Sequence, residues 1–444
     1  MTKNKIIFAI LAWIILVLII AIVMIASAGS ERTVKTTNTL QVWTVGHETS
    51  KFSEVIKEFS EDVPAMSGTT FSHINFDSYN DYQEALLYAI ANNEWPDIFM
   101  LNNTEQAFLS NSVLGILWSE INLSEFRKNY FPVFSDELIK TEKDADGNDI
   151  DYLLWVPAWY EVLGLYYDRR KYLWKKLNSW TNVGNAITDL KEKNATTTPL
   201  ALGHGTSITH SSDIFAQFAV QDWAQNYSQL DQSWIRSIIS EYQRYGSING
   251  QNEYERNLIE WPNKTDLQLF SEGEVSMIIG FPSTIKAIDA LWVSSKRNIQ
   301  VSPFPKSLGW EDNLLIRYNY FVIRADTGYR NEAKAFLAYL ASDEWAEEYY
   351  EAITNVIPAR TNMLSSLQER KIDERYEITP FDFLRDGATL VSYDKWISRI
   401  YDERVPYILN DKTRAVEQFQ ELQADISCKI QKIGTKNAEN KSCN

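Results

Sequence analysis

Trp159, Tyr160 and Glu161 stand together between two apolar runs. Residues 153–156 lead through Pro157 into this trio, and residues 162–167 follow it, ending in the charged turn Asp168-Arg169-Arg170. Two readings fit: chain crossing between two bodies with the trio in the gap, or two ordinary core strands with exposed aromatics. Proline cannot donate to a sheet ladder, so Pro157 is expected at a strand end or crossing point. Catalytic signatures are missing. There is no G-x-S-x-G elbow and no phosphate loop, and His47-Glu48 is followed at the zinc-protease position by Lys51 instead of histidine. The four histidines, His47, His73, His204 and His210, are scattered. Gly203-His204-Gly205 reads as a tight strand-end turn more readily than as an anion cradle. Asp144, Asp146, Asn148 and Asp149 invite a calcium-loop reading, but Asp149 occupies the position that needs glycine and no closing Glu follows. A solvated turn is expected there. Carboxylates are too numerous for counting to single out a glycosidase pair. No cofactor or metal is expected.

Several elements position these residues. Residues 39–45 and 71–76 read as strands, and 96–101 as a third. Between them, a helix over 51–61 presents Phe52, Val55, Ile56 and Phe59, and a second, capped by Ser78 or Asn80, presents Tyr82, Leu86, Leu87 and Ile90. Alternating strands and helices predict βαβ units and a parallel sheet. Residues 136–153 read as a hairpin around Asp146-Gly147. A second α/β pattern then follows: helix 185–193, strand 199–203, helix 214–223, a segment 267–273 leading into strand 275–280, and a helix from Thr284. Residues 298–305 form a further crossing candidate, 318–323 a strand and 331–340 a helix. The C-terminal third reads as helical.

The chain has 444 residues, 45% hydrophobic, which suits two domains with sizeable cores. A formal net charge of -16 argues against a nucleic-acid binder and leaves neutral or cationic ligands open. Residues 6–26 form an unbroken apolar run behind Lys3 and Lys5. At about 1.5 Å per residue it can cross a bilayer of roughly 30 Å, with the body outside. Ala26-Ser27-Ala28 is similar to a cleavage site, but the run exceeds a signal core of roughly 7–15 residues, so an uncleaved anchor is favoured. No cysteine follows the run to carry a lipid. Cys428 and Cys443 are the only cysteines; an exported location permits a disulfide, and two free thiols are the alternative.

The motif order resembles the extracellular solute-binding proteins of ABC transporters, family 1, the sugar-binding group that includes maltose-binding protein. The matching pieces are Val42-Trp43-Thr44 with Gly46, Pro96 to Phe99, Val156-Pro157 through Asp168, Phe270 to Gly280, Pro303 to Lys306, Ala333 to Leu337, and Asn355 to Arg360. The resemblance implies an α/β, periplasmic-binding-protein-like type II fold, with two α/β lobes joined by crossing hinge strands behind the N-terminal transmembrane or signal segment. Its boundaries would be a signal anchor over 1–30, a tether over 31–38, lobe 1 from 39–162 and 306–367, lobe 2 from 163–305 and 368–431, and a polar tail over 432–444.

The same resemblance places Trp43, Gly46 and His47 on the first lobe's rim, with Asn102 and Asn103 after its third strand. It makes Glu161 a hinge carboxylate accepting sugar hydroxyls, and Phe281 and Trp396 second-lobe aromatics that stack on sugar faces. Trp159, Tyr160 and Tyr318 join them on aromatic character. A sugar ring has apolar faces and a hydroxyl rim, so its site needs flat aromatics with amides or carboxylates. The expectation is a non-enzymatic, membrane-tethered receptor that captures a carbohydrate and delivers it to ABC permease subunits. A glycoside hydrolase or lyase, a sensing ectodomain, and a binder of a polyamine or peptide are the rivals.

Overall fold

The fold is taken from a computed structural model. It describes residues 39–433 apart from 64–65, 67, 105–112, 118–120, 145, 173–175, 194–197, 222–231, 249–263, 292–297, 308–310, 343–345, 354–355, 367–370, 372–375, 393–397 and 412. The apolar run 6–26 therefore lies outside the described residues, as does Trp396. Among the described residues no helix is long and apolar enough to cross a membrane.

Strand β1 (Thr39–Val45), helix α1 (Thr49–Asp62), strand β2 (Thr70–Phe76), helix α2 (Tyr79–Ala91) and strand β3 (Ile98–Asn102) follow the predicted alternation. Phe52, Val55 and Phe59 of α1 recur on one face and are buried. Ser78 caps α2 by accepting from the Asp81 N–H. β1 and β3 run parallel, with Val42 opposite Ile98.

Short strands β4 (Val113–Leu114) and β5 (Ile116–Leu117) precede helices α3 (Leu123–Asn129) and α4 (Pro132–Leu138). The expected hairpin is smaller than 136–153. Its strands are β6 (Ile139–Lys143) and β7 (Asp149–Leu153), because residues 136–138 belong to α4. The Asp144 carboxylate accepts the backbone N–H groups of Asp146 and Asn148, so its lone pairs shape the turn.

β8 (Val156–Val162) and β9 (Gly164–Asp168) are separated only by Leu163 but lie in different sheets. Pro157 is within β8, not at its end. A register shift there sets Trp159 opposite Asn319 and Pro157 opposite Tyr320, leaving Ala158 as the extra residue, and a bulge tolerates a residue without an N–H.

Helices α5 (Trp180–Glu192), α6 (Ser211–Gln221), α7 (Gln232–Ile248) and α8 (Asp266–Glu272) come next. Residues 199–203 do not form the expected strand. Leu200, Ala201 and Leu202 are buried, and the stretch meets its neighbours through the Thr198–Val275 bridge, the Ala201 N–H to the Met277 carbonyl and the Tyr172 hydroxyl to the Pro199 carbonyl, without a strand ladder. β10 (Met277–Gly280), α9 (Thr284–Ala290), β11 (Ile299–Pro303) and the long β12 (Asn313–Arg324) complete the central part. After them come α10 (Arg330–Leu340), α11 (Ala346–Glu351), β13 (Ile357–Pro358), α12 (Thr361–Ser366), β14 (Thr389–Ser392), α13 (Ser398–Asn410) and α14 (Ala415–Ile433). Cys428 of α14 is disulfide-bonded; Cys443 lies outside the described residues.

The larger sheet runs β13-β8-β12-β3-β1-β2, with β14 and β4 paired to β12. It is mixed rather than parallel, because β12 is antiparallel to both β3 and β8. A second sheet, β10-β9-β11, is antiparallel throughout. Among the described residues the chain thus passes between these two sheets twice, from β8 to β9 and from β11 to β12, while β5, β7 and β6 form a third small sheet.

Candidate functional site

Alternation along β12 sends Arg317, Asn319 and Phe321 to one face and Tyr318 and Tyr320 to the other. Partner strands share that division. Glu161 lies opposite Arg317, and Trp159 and Asn102 flank Asn319 from β8 and β3.

On the first face the covering elements change along β12. At one end Phe321 packs against Phe52 of α1, Tyr349 of α11 and the His47 ring. At the other end Arg317 is held from α6 and α13. Its Nε donates to Asp213 Oδ1 at 2.8 Å, its Nη2 lies 2.6 Å from the same oxygen, and Nη2 also reaches both Asp402 oxygens at 3.3 Å. Between these ends lies the row Asn102–Asn319–Trp159. Asn319 is 1% exposed and Trp159 6%. Yet Asn319 Oδ1 and Trp159 Nε1 have no hydrogen-bond partner among the described residues. Buried polar atoms are almost always paired, so this acceptor and this donor on neighbouring strands stand out, as does the Tyr160 hydroxyl on the opposite face. Gly46 completes the row. Its φ is +75°, which disfavours a side chain, and a Cβ there would lie 3.9 Å from the Trp159 indole.

Glu161, two residues from Trp159 on the same face, accepts the Ser283 N–H at 2.7 Å. Burial pushes its carboxyl up, partly offset by the Ser283 hydrogen bonds and by His210 and Arg317. Phe281 is beside this group, with the Arg317 guanidinium 5.5 Å from its ring centroid and the His210 ring edge-on at 4.9 Å. The structure therefore brings Glu161, Trp159, Gly46, Asn102 and Phe281 into one neighbourhood. It adds Asn319, Arg317, Asp213, Asp402 and His210, which the sequence reading passed over.

The remaining expected residues fall elsewhere. Tyr160 and Tyr318 occupy the opposite face, against Phe131 and Phe134, and the Tyr318 hydroxyl donates to Glu137. Asn103 is consumed structurally: its Oδ1 accepts the Tyr318 N–H and its Nδ2 donates to the Ile316 carbonyl. Trp43 is half-buried against Phe76.

His47 is not at an open rim. Its Nδ1 donates to the Val45 carbonyl, and its Nε2 lies 3.4 Å from the Tyr349 hydroxyl inside an aromatic cluster. Burial, with a smaller contribution from His73, lowers its pKa from 6.5 to about 3. The folded state therefore refuses a proton that the unfolded chain accepts below about pH 6.5. The resulting stability is complete above that pH and is lost as pH falls toward 3. At about 1.4 kcal/mol per unit, His47 should account for about 2.5 kcal/mol of lost stability between pH 7 and pH 4.5. Denaturation at both pH values should show a shallower loss in His47→Phe; equal losses would contradict the assignment.

A family described as bacterial extracellular solute-binding protein matches residues 54–373. The chain belongs to this family. Compared by sequence with curated proteins, the solute-binding protein has no match. Its fold is similar to that of the GacH receptor of Streptomyces glaucescens GLA.O, solved unliganded and with acarbose and an acarbose homolog. Identity is 14%, TM-score 0.58, and 89% of this chain and 98% of that one are covered. It is also similar to the ABC substrate-binding protein Lmo0181 from Listeria monocytogenes, in complex with cycloalternan, at 14% identity, TM-score 0.59, and 88% and 99% coverage. A third neighbour, from work on xylan utilization by Caldanaerobius polysaccharolyticus, has 19% identity, TM-score 0.58, and 87% and 99% coverage. At these identities the likeness establishes the fold, and the site of the solute-binding protein rests on its own residues. Among its described residues no group of three or more His, Cys, Asp or Glu side chains is arranged to hold a metal.

Proposed function

We propose that this solute-binding protein captures a carbohydrate, an oligosaccharide, between two lobes and delivers it unchanged to an ABC permease on the outer face of the cell membrane. The lobes would comprise 39–162 with 306–367 and 163–305 with 368–431, and residues 6–26 would tether the body. Ligand contacts made from both sides would shift an open–closed equilibrium toward closure. The observation that carries the reading is the orphaned pair on the buried row, Trp159 Nε1 and Asn319 Oδ1. A hydroxyl both donates and accepts, so neighbouring hydroxyls of one sugar ring answer both atoms, while the Trp159 ring offers an apolar surface. The carbohydrates named with two of the structural neighbours support this choice of ligand class.

Asn319→Leu separates a binding role from a structural one. It removes a buried amide oxygen that has no partner, so the unliganded protein should keep its stability or gain about 1 kcal/mol. Affinity for the bound oligosaccharide should fall about tenfold, the equivalent of about 1.4 kcal/mol. The test is calorimetric titration of the full-length protein in detergent, with recovery of the sugar by chromatography. Undiminished affinity would remove the row from the site. A cleaved sugar would make the protein an enzyme, and stabilisation by amines alone would move it to a different ligand class.

A further inference from the structure

β12 loses a neighbour partway along its length. It pairs with β8 through Arg317, but β8 ends at Val162, opposite Ile316, and the chain leaves for the second sheet. Backbone groups alternate sides along a strand. The Ile316 carbonyl and the Tyr318 N–H turn toward Asn103, beside β3, so the groups of Asn313 and Leu315 turn to the side that β8 has left. The Gln217 side chain of α6 stands there. Its Nε2 donates to the Asn313 carbonyl and its Oε1 accepts the Leu315 N–H, both at 2.8 Å, and the residue is 0% exposed. An amide side chain carries a carbonyl and N–H donors, so it offers β12 what a strand's peptide units would. The end of the same helix adds two more bonds. Asn313 Nδ2 donates to the Val220 carbonyl and the Glu311 N–H to the Gln221 carbonyl, two acceptors that a helix end leaves without intrahelical partners.

We infer that Gln217 is a positioning residue for the ligand site: it joins the first part of β12 to α6, so that residues 311–317 travel with the second lobe and the strand flexes between Arg317 and Tyr320. The inference rests on the two-lobe reading above and moves its boundary from residue 306 into β12. The register shift at Asn319/Tyr320 lies at this point, and a bulge interrupts the ladder and lets a strand bend. Asn319 and Trp159 stand at the same place. Their row is thus set by a strand held from two sides, by α6 through Gln217 and by β3 through Asn102.

The test is a set of paired spin-label distances in the full-length protein in detergent, without ligand. Labels go on ketone-bearing residues introduced at the exposed positions Tyr88, Thr181 and Glu311, which leaves the Cys428 disulfide intact. The 311–181 distance should be narrow, and the 311–88 and 181–88 distances broad. Gln217→Met keeps the bulk without the hydrogen bonds and should broaden 311–181. Gln217→Glu is the rescue: a protonated carboxylic acid donates and accepts as the amide does. It should give the narrow distance at about pH 4 and lose it at about pH 8, once the carboxyl, with an ordinary pKa of about 4.3 raised by burial, has ionised. A narrow 311–88 distance beside a broad 311–181, or a Gln217→Met protein indistinguishable from the unsubstituted one, would overturn the role of Gln217 and leave the two-lobe reading standing. Three narrow distances would remove the movement between lobes, and the inference with it.

Discussion

Replacing Arg317 by methionine should destabilise the unliganded protein by about 3 kcal/mol, one of the two largest single-residue effects expected in this chain. The reason is the partner left behind. The Asp213 side chain is 3% exposed and takes two contacts from the guanidinium, whereas Arg317 itself is 24% exposed. Removing the cation takes the guanidinium from a carboxylate in a poorly solvated place, and such losses run to about 3–5 kcal/mol when both groups are buried; the partial exposure of Arg317 and the nearby His210 argue for the lower end. Met keeps much of the length of the apolar stem, so the loss reports the guanidinium more than packing. The second substitution decides the matter. Asp213→Asn in the Arg317→Met background should recover much of the loss, since no buried carboxylate is then left without the guanidinium, while Asp213→Asn alone should also destabilise. Denaturant titration of all four proteins gives the coupling. Additive losses would mean that Arg317 acts through packing, and the electrostatic account of the site would need revision.

Much of the first βαβ region was legible because local and tertiary demands agree there. Phe52, Val55 and Phe59 recur at helical spacing and are buried, and β1, β2 and β3 fall where alternating or apolar runs placed them. Residues 199–203 show the opposite case. An apolar run records burial, and burial does not require a ladder, so Leu200 to Leu202 are interior without being a strand. At the site, Trp159 and Glu161 were visible through residue type. Tyr318 drew attention for its ring, yet the side chain on their face is Asn319, one residue away. A strand's period of two makes a one-residue error a change of face, and only the register with β8 says which face is which. The available signal was the alternation Arg317-Tyr318-Asn319-Tyr320, which sets two polar side chains on one face of a strand otherwise rich in Ile, Leu and Phe. His47 was beyond reach for another reason. Its burial depends on Tyr349, which stands 302 positions later in the chain.

Gly205→Ala should be about as damaging as the loss of Arg317, through backbone approach alone. A Cβ on Gly205 would overlap the Pro406 carbonyl oxygen and lie 2.5 Å from its carbonyl carbon and 2.9 Å from its Cα. These are main-chain atoms of α13, so no side-chain rotation relieves the clash. The turn cannot easily retreat either. The Gly205 N–H donates to Asn410 Oδ1, Asn410 Nδ2 donates to Thr206 Oγ1, and the Tyr242 hydroxyl donates to the His204 carbonyl. Overpacking usually costs about 1–3 kcal/mol, and the rigid backbone on both sides puts this case at about 3 kcal/mol. Gly184→Ala is the control: Gly184 lies inside α5 with open space where its Cβ would go, so alanine there should add about 1 kcal/mol through helix propensity. Opposite signs at the two glycines would establish that the effect belongs to the α13 contact and not to glycine replacement as such. Because α13 carries Asp402 into the Arg317 cluster, whatever Gly205→Ala leaves folded should also bind its ligand more weakly. A variant that loses stability and keeps full affinity would show that the position of α13 does not reach the site.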